Sequence, residues 1–81
     1  MKAHVYVTLK KTVLDPQGAT VARALNGMGH PEIAAVRQGK FFEIEIAPGA
    51  SQASIAATLD QIAADVLSNP VIEEYRVEIV P

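Results

Sequence analysis

Cysteine and tryptophan are absent from the 81 residues. Without cysteine there is no disulfide, no thiolate metal site and no thiol nucleophile. Aromatic residues make up only 5 %, two Tyr and two Phe. No apolar run has the length of a membrane span, and no charged leader precedes one. Neither a signal peptide nor a membrane segment is expected, and a cytoplasmic protein is the default. Residues 41–75 hold no base and six acids, whereas residues 1–40 hold six bases and two acids. The net charge of -2 speaks against nucleic acid as a main partner. The asymmetry fits either solvated faces or a polarised domain that docks in one orientation.

What is present is a globular composition, 49 % apolar and 20 % charged. Its length makes residues 1–81 one domain. A chain this short buries only about 60 % of its unfolded surface, so it gains from oligomerisation or docking.

Residues 2–10 alternate strictly. Ala3, Val5, Val7 and Leu9 share one face, and Lys2, His4, Tyr6, Thr8 and Lys10 the other, as in a half-buried strand. Asp15 and Pro16 then mark a helix start, an N-cap followed by proline at the first helical position. That helix runs to about Met28, with Gly29 as its stop and Pro31 beyond. Gly18 shares a stripe with Val21, Ala22, Leu25 and Met28, where a missing side chain lets the helix lie close on a sheet. Ile33 to Gln38 reads as a short second strand. Gln38-Gly39 reads as a tight turn, and Phe41 to Ile46 as a third strand paired back on the second. Ser51 caps a second helix whose core stripe is Ile55, Leu59, Ile62, Ala63 and Val66. Asn69-Pro70 ends it. The last strand spans Val71 to Val80, with Tyr75, Val77 and Ile79 facing in.

The order β-α-β-β-α-β predicts an α+β fold, the ferredoxin-like sandwich: a four-stranded antiparallel sheet with two helices on one face. The other face is bare and carries His4, Tyr6, Thr8, Phe41, Glu43, Glu45, Arg76 and Glu78.

Catalytic chemistry finds little support. His4 has no enclosing cavity to hold a substrate, and His30 sits just past a helix end, where a cation is favourable. The acids make no metal spacing with either histidine. Gly27-Met28-Gly29 ends a helix where a phosphate loop would begin one. Tyr6 and Phe41 are a partial set for stacking RNA bases, beside an acidic strand that repels phosphate. Unabsorbed apolar residues lie at the ends of elements: Val13 and Leu14 before the first helix, Val71 and Ile72 after Asn69-Pro70. They mark a domain made to be covered.

Two segments carry a family resemblance, Val7 to Gly18 and Leu67-Ser-Asn-Pro-Val-Ile-Glu73. Ala24-Leu25 and Val36-Arg37-Gln38-Gly39-Lys40 support it. Together they resemble PurS, the small subunit of phosphoribosylformylglycinamidine synthase, in order and over nearly the whole chain. The resemblance implies a ferredoxin-like fold and a subunit without catalytic, metal or cofactor residues of its own. It implies a role in de novo purine synthesis, in the step from formylglycinamide ribonucleotide to formylglycinamidine ribonucleotide. The implied partners are a synthetase subunit, PurL, which uses ATP and Mg, and a glutaminase subunit, PurQ, which releases ammonia. The small subunit is thought to dimerise, alone or as a dimer of dimers, to bridge the other two and to help enclose the ammonia path.

The candidate contact residues are therefore Val13, Leu14, Asp15, Pro16, Gly18, Asn69, Pro70, Val71 and Ile72, with Arg37 and Lys40 in second rank. Dimerisation has two candidate surfaces, the edge at Ala34, Ala35 and Val36 and the bare face at Tyr6 and Phe41. The alternative is a regulatory domain binding a small molecule between protomers near the first loop. A third reading is a small isomerase-like enzyme using His4.

Overall fold

The computed structural model describes residues 1–80. Strand β1 (Lys2–Leu9) leads to helix α1 (Pro16–Gly27), then strand β2 (Gly39–Glu45), helix α2 (Gln52–Ile62) and strand β3 (Glu73–Val80). The sheet has three antiparallel strands in the order β2-β1-β3. β1 is central, with Val5 opposite Phe42 on one side and Val77 on the other.

Alternation along β1 divides the sheet as its sequence predicts. Ala3, Val5 and Val7 are fully buried, Ala63 packs with Val5 and Val7, and Leu59 of α2 is buried as well. Phe42, Ile44, Leu67, Tyr75 and Val77 close the rest of this core. Both helix starts are capped as expected. The Gly18 N–H donates to Asp15 Oδ1 at 2.9 Å and the Ser54 N–H to Ser51 Oγ at 3.2 Å.

Four expectations need correction. The fourth strand is absent: Ile33 to Gln38 joins no sheet, so the sheet has three strands. No turn forms at Gln38-Gly39, and the chain passes straight from 33–38 into β2. Gly39 serves a close approach and not a turn, since a Cβ there would lie 2.6 Å from the Val7 carbonyl oxygen. Only α2 covers the sheet. Helix α1 contributes nothing to the core and packs on residues 33–38, where a Cβ at Gly18 would come within 2.2 Å of the Val36 carbonyl oxygen. The expected close approach at Gly18 exists, but to this arm. Val66 is also displaced from the core, being 73 % exposed. A π-helical turn at Ala63–Leu67 inserts an extra residue, so Leu67 takes the inward position.

With α1 and the arm lying off the sheet, the molecule measures 51 × 26 × 14 Å and its radius of gyration is 16.2 Å. A compact domain of this length would have roughly 12 Å. The accessible surface is 5672 Å², against roughly 4,700 Å² for a compact monomer of this mass.

Candidate functional site

The residues singled out in the sequence gather at one end of the sheet. There β1 ends, β2 and β3 begin, and the two connections from β1 to α1 and from α2 to β3 meet. The Lys10 N–H donates to the Ile72 carbonyl at 2.9 Å, and the Val13 N–H donates to the Lys10 carbonyl at 2.9 Å. Thus Val13 to Gly18 and Asn69 to Glu73, far apart in sequence, form one surface.

Each segment is held by its own polar residue. Asp15 accepts from Gly18 through one oxygen and, at 2.8 Å, from the Gln38 N–H through the other. One carboxylate therefore starts α1 and pins the arm to it. These two bonds to backbone N–H groups hold the Asp15 carboxyl below its ordinary value, with Arg37 adding a smaller effect. Pro16 fills the first helical position. In the second segment Asn69 Oδ1 accepts from the Val71 N–H at 3.1 Å, and the Asn69 N–H donates to Glu73 Oε1 at 2.7 Å. Pro70 sits inside this closed turn.

Arg37 and Lys40 tie the pieces together. The Arg37 guanidinium donates to the carbonyls of Leu9 and Lys10, each at 3.0 Å. Lys40 Nζ lies 3.8 Å from Glu73 Oε2. Against this polar frame, Leu14 and Val71 stand 81 % and 77 % exposed. Exposed apolar side chains on a backbone held by hydrogen bonds are the arrangement of a contact surface. Beside it runs a groove of about 710 Å³ between α1 and the arm, lined by Val13, Leu14, Ala22, Ala34, Ala35 and Val36. Ala34, Ala35 and Val36 were read from the sequence as a candidate dimer edge, whereas Ala22 was read only as part of the α1 stripe. Nothing local marks Ala22 as a groove residue, because the groove exists only when the arm leaves the sheet.

The bare sheet face is assembled as predicted but lies apart from this end. The His4 ring is 5.1 Å from Phe41 and 6.5 Å from Tyr6, and Tyr6 is 5.2 Å from Phe41. Arg76 stacks 4.3 Å above the Tyr6 ring. His4 lies between Glu43 at 3.8 Å and Glu78 at 3.9 Å. His30, beyond α1, meets Glu32 at 3.5 Å. Among the described residues no group of three or more His, Asp or Glu could hold a metal ion, and no helix is long and apolar enough to cross a membrane.

These features define a small α+β domain with three antiparallel strands in the order β2-β1-β3, exposed apolar side chains at one end and more accessible surface than a compact chain of its mass. A family model described as PurS, Phosphoribosylformylglycinamidine (FGAM) synthase, matches residues 2–81. The chain belongs to the PurS family, the S subunit of FGAM synthase in purine biosynthesis. It is 41 % identical over 78 residues to the PurS subunit of Bacillus subtilis, covering 96 % of this chain and 90 % of that one. It is 42 % identical over 76 residues to the PurS subunit of Mycobacterium leprae, covering 94 % and 91 %. Among solved structures, B. subtilis PurS superposes with a TM-score of 0.84 at 42 % identity, over 95 % of this chain and 94 % of that one. A chain of PurLQS from Thermotoga maritima superposes with a TM-score of 0.85 at 27 % identity, over 95 % and 93 %.

Proposed function

We propose that the chain is the assembly subunit of its synthase. As a homodimer it bridges a PurL synthetase and a PurQ glutaminase, so that ammonia released from glutamine reaches the synthetase without escaping to solvent. In this reading the chain supplies contacts and no catalytic group. ATP and Mg are used by the synthetase, and the complex works in the cytoplasm. The observation that carries the proposal is the convergence of the two family segments on one end of the sheet, where Leu14 and Val71 stand out from a hydrogen-bonded polar frame. A relative in this family is part of PurLQS, which supports the choice of partners.

Physical association tests it. Immobilised synthetase retains glutaminase when this chain is present and not when it is omitted. Equal retention without the chain would remove the bridging role.

A further inference from the structure

The groove between α1 and residues 33–38 is positively charged, and the rest of the chain does not neutralise it. Lys11, Arg23 and Arg37 line it, and Asp15 is the one acid among its lining residues. Both Asp15 oxygens already accept from backbone N–H groups, those of Gly18 and Gln38. The seven bases of the chain fall into two sets. Lys2, Lys40 and Arg76 each have a carboxylate, at 3.8 Å from Glu43, 3.8 Å from Glu73 and 3.3 Å from Glu78. Lys10, Lys11, Arg23 and Arg37 pair with no acid among the described residues, and the last three of these meet at the groove. Arg37 donates to the neutral carbonyls of Leu9 and Lys10, and Arg23 to the Thr20 hydroxyl at 3.4 Å, so neither charge is cancelled.

The floor between these charges is apolar and shallow. Ala22 and Val36 are half-buried, whereas Lys11, Leu14, Ala19 and Arg23 are exposed. Ala19, Ala22, Arg23 and Asn26 stand at i, i+3, i+4 and i+7, one stripe of α1 about 10 Å long. Alanine at two of these four positions lets a second helix approach closely. A groove this open leaves a small molecule mostly in water, whereas bound small ligands are enclosed over roughly 70–90 % of their surface. A helix laid along the stripe covers the floor with its apolar face and turns its acids to the cations.

We infer that this groove receives an acidic amphipathic helix of a partner subunit, whose carboxylates meet Lys11, Arg23 and Arg37. The inference rests on the assembly reading; it adds which surface of the chain takes a partner and what chemistry that partner brings. Complementary charge sets the rate and orientation of encounter. It also makes binding sensitive to salt, because exposed charges are screened beyond about 8–10 Å at ordinary ionic strength.

The test measures binding of the full chain to immobilised synthetase and, separately, to immobilised glutaminase. The double variant Lys11→Glu, Arg23→Glu reverses two exposed charges that no acid of the described chain uses, so its circular dichroism and its mass by light scattering match wild type. It binds one of the two subunits more weakly by on the order of tenfold, and wild-type affinity for that subunit falls with added salt. Lys10→Glu, which changes the unpaired base beside the groove, leaves the same affinity within about twofold. Carbodiimide activation of carboxylates joins the Lys11 amine to an acid of that subunit, and peptide mapping of the product places this acid in an amphipathic helix. A wild-type chain that binds neither subunit would overturn the assembly reading together with this one. Three results would overturn the groove alone: wild-type binding that the double reversal leaves unchanged, an equal loss with Lys10→Glu, or a Lys11 cross-link to a second copy of this chain.

Discussion

The same substitution, glycine to alanine, has opposite effects at two ends of α1. At Gly27 an added Cβ meets nothing within 4 Å. Gly27→Ala therefore gains only the helix preference of alanine, about 0.8–1 kcal/mol, partly through a less flexible unfolded chain. At Gly18 the Cβ would lie 2.2 Å from the Val36 carbonyl oxygen and 2.8 Å from Asp15 Oδ2. An ordinary carbon–oxygen contact needs about an ångström more than the shorter distance. Neither atom yields freely, because the arm is pinned through Gln38 and Asp15 caps the helix. Separating the helix from the arm is an overpacking cost of about 1–3 kcal/mol, from which the alanine preference subtracts about 1 kcal/mol. The net expectation for Gly18→Ala is a loss of up to about 2 kcal/mol, or up to roughly 16 °C in Tm for a domain of this size, against a gain at Gly27. Urea unfolding of both variants at one fixed protein concentration measures the difference, since assembly makes stability concentration-dependent. A Gly18→Ala chain as stable as Gly27→Ala would refute the close packing of α1 on residues 33–38.

Three further outcomes follow from named residues. Asp15 titrates below its ordinary value of 3.8 in the folded chain. Its contribution to stability is complete above the unfolded pKa, about 3.9, and is lost as pH falls through the lower folded value. Asp15→Ala thus flattens the acid limb of a urea-midpoint profile taken from neutral pH to about pH 2. Leu59→Ala empties a position that is 2 % exposed and costs about 2–5 kcal/mol, enough to unfold a domain this small by circular dichroism at room temperature. Leu14→Asp changes a side chain that is 81 % exposed. It leaves thermal stability within about 0.5 kcal/mol and weakens retention of the synthetase–glutaminase pair.

The sequence foretold those parts of the fold that depend on period and capping. The alternation of β1, the Asp15-Pro16 start, the Ser51 cap and the inward set Tyr75, Val77 and Ile79 need only local rules. Two features escaped because a local signal admits two physical causes. Gly39 looked like a turn glycine, yet it is needed where the strand passes within contact of the Val7 carbonyl. Val66 fits an uninterrupted helical stripe, but a π-helical turn moves the inward position to Leu67. The arm at 33–38 is strand-like in composition but pairs with no strand of the chain, because it is held along α1 through Asn26 and Asp15 instead. The candidate contact residues were legible as apolar residues without a place in the core. Their meeting at one end of the sheet was not, since it depends on the Lys10–Ile72 bond between two distant connections.

Turnover separates assembly from chemistry most directly. With synthetase and glutaminase held constant, rates are measured with glutamine and, separately, with ammonium as the nitrogen source, in the presence and absence of this chain. The assembly role predicts that omission removes glutamine-dependent turnover and spares much of the ammonium-dependent rate. A glutamine-dependent rate that is unchanged without the chain would contradict it.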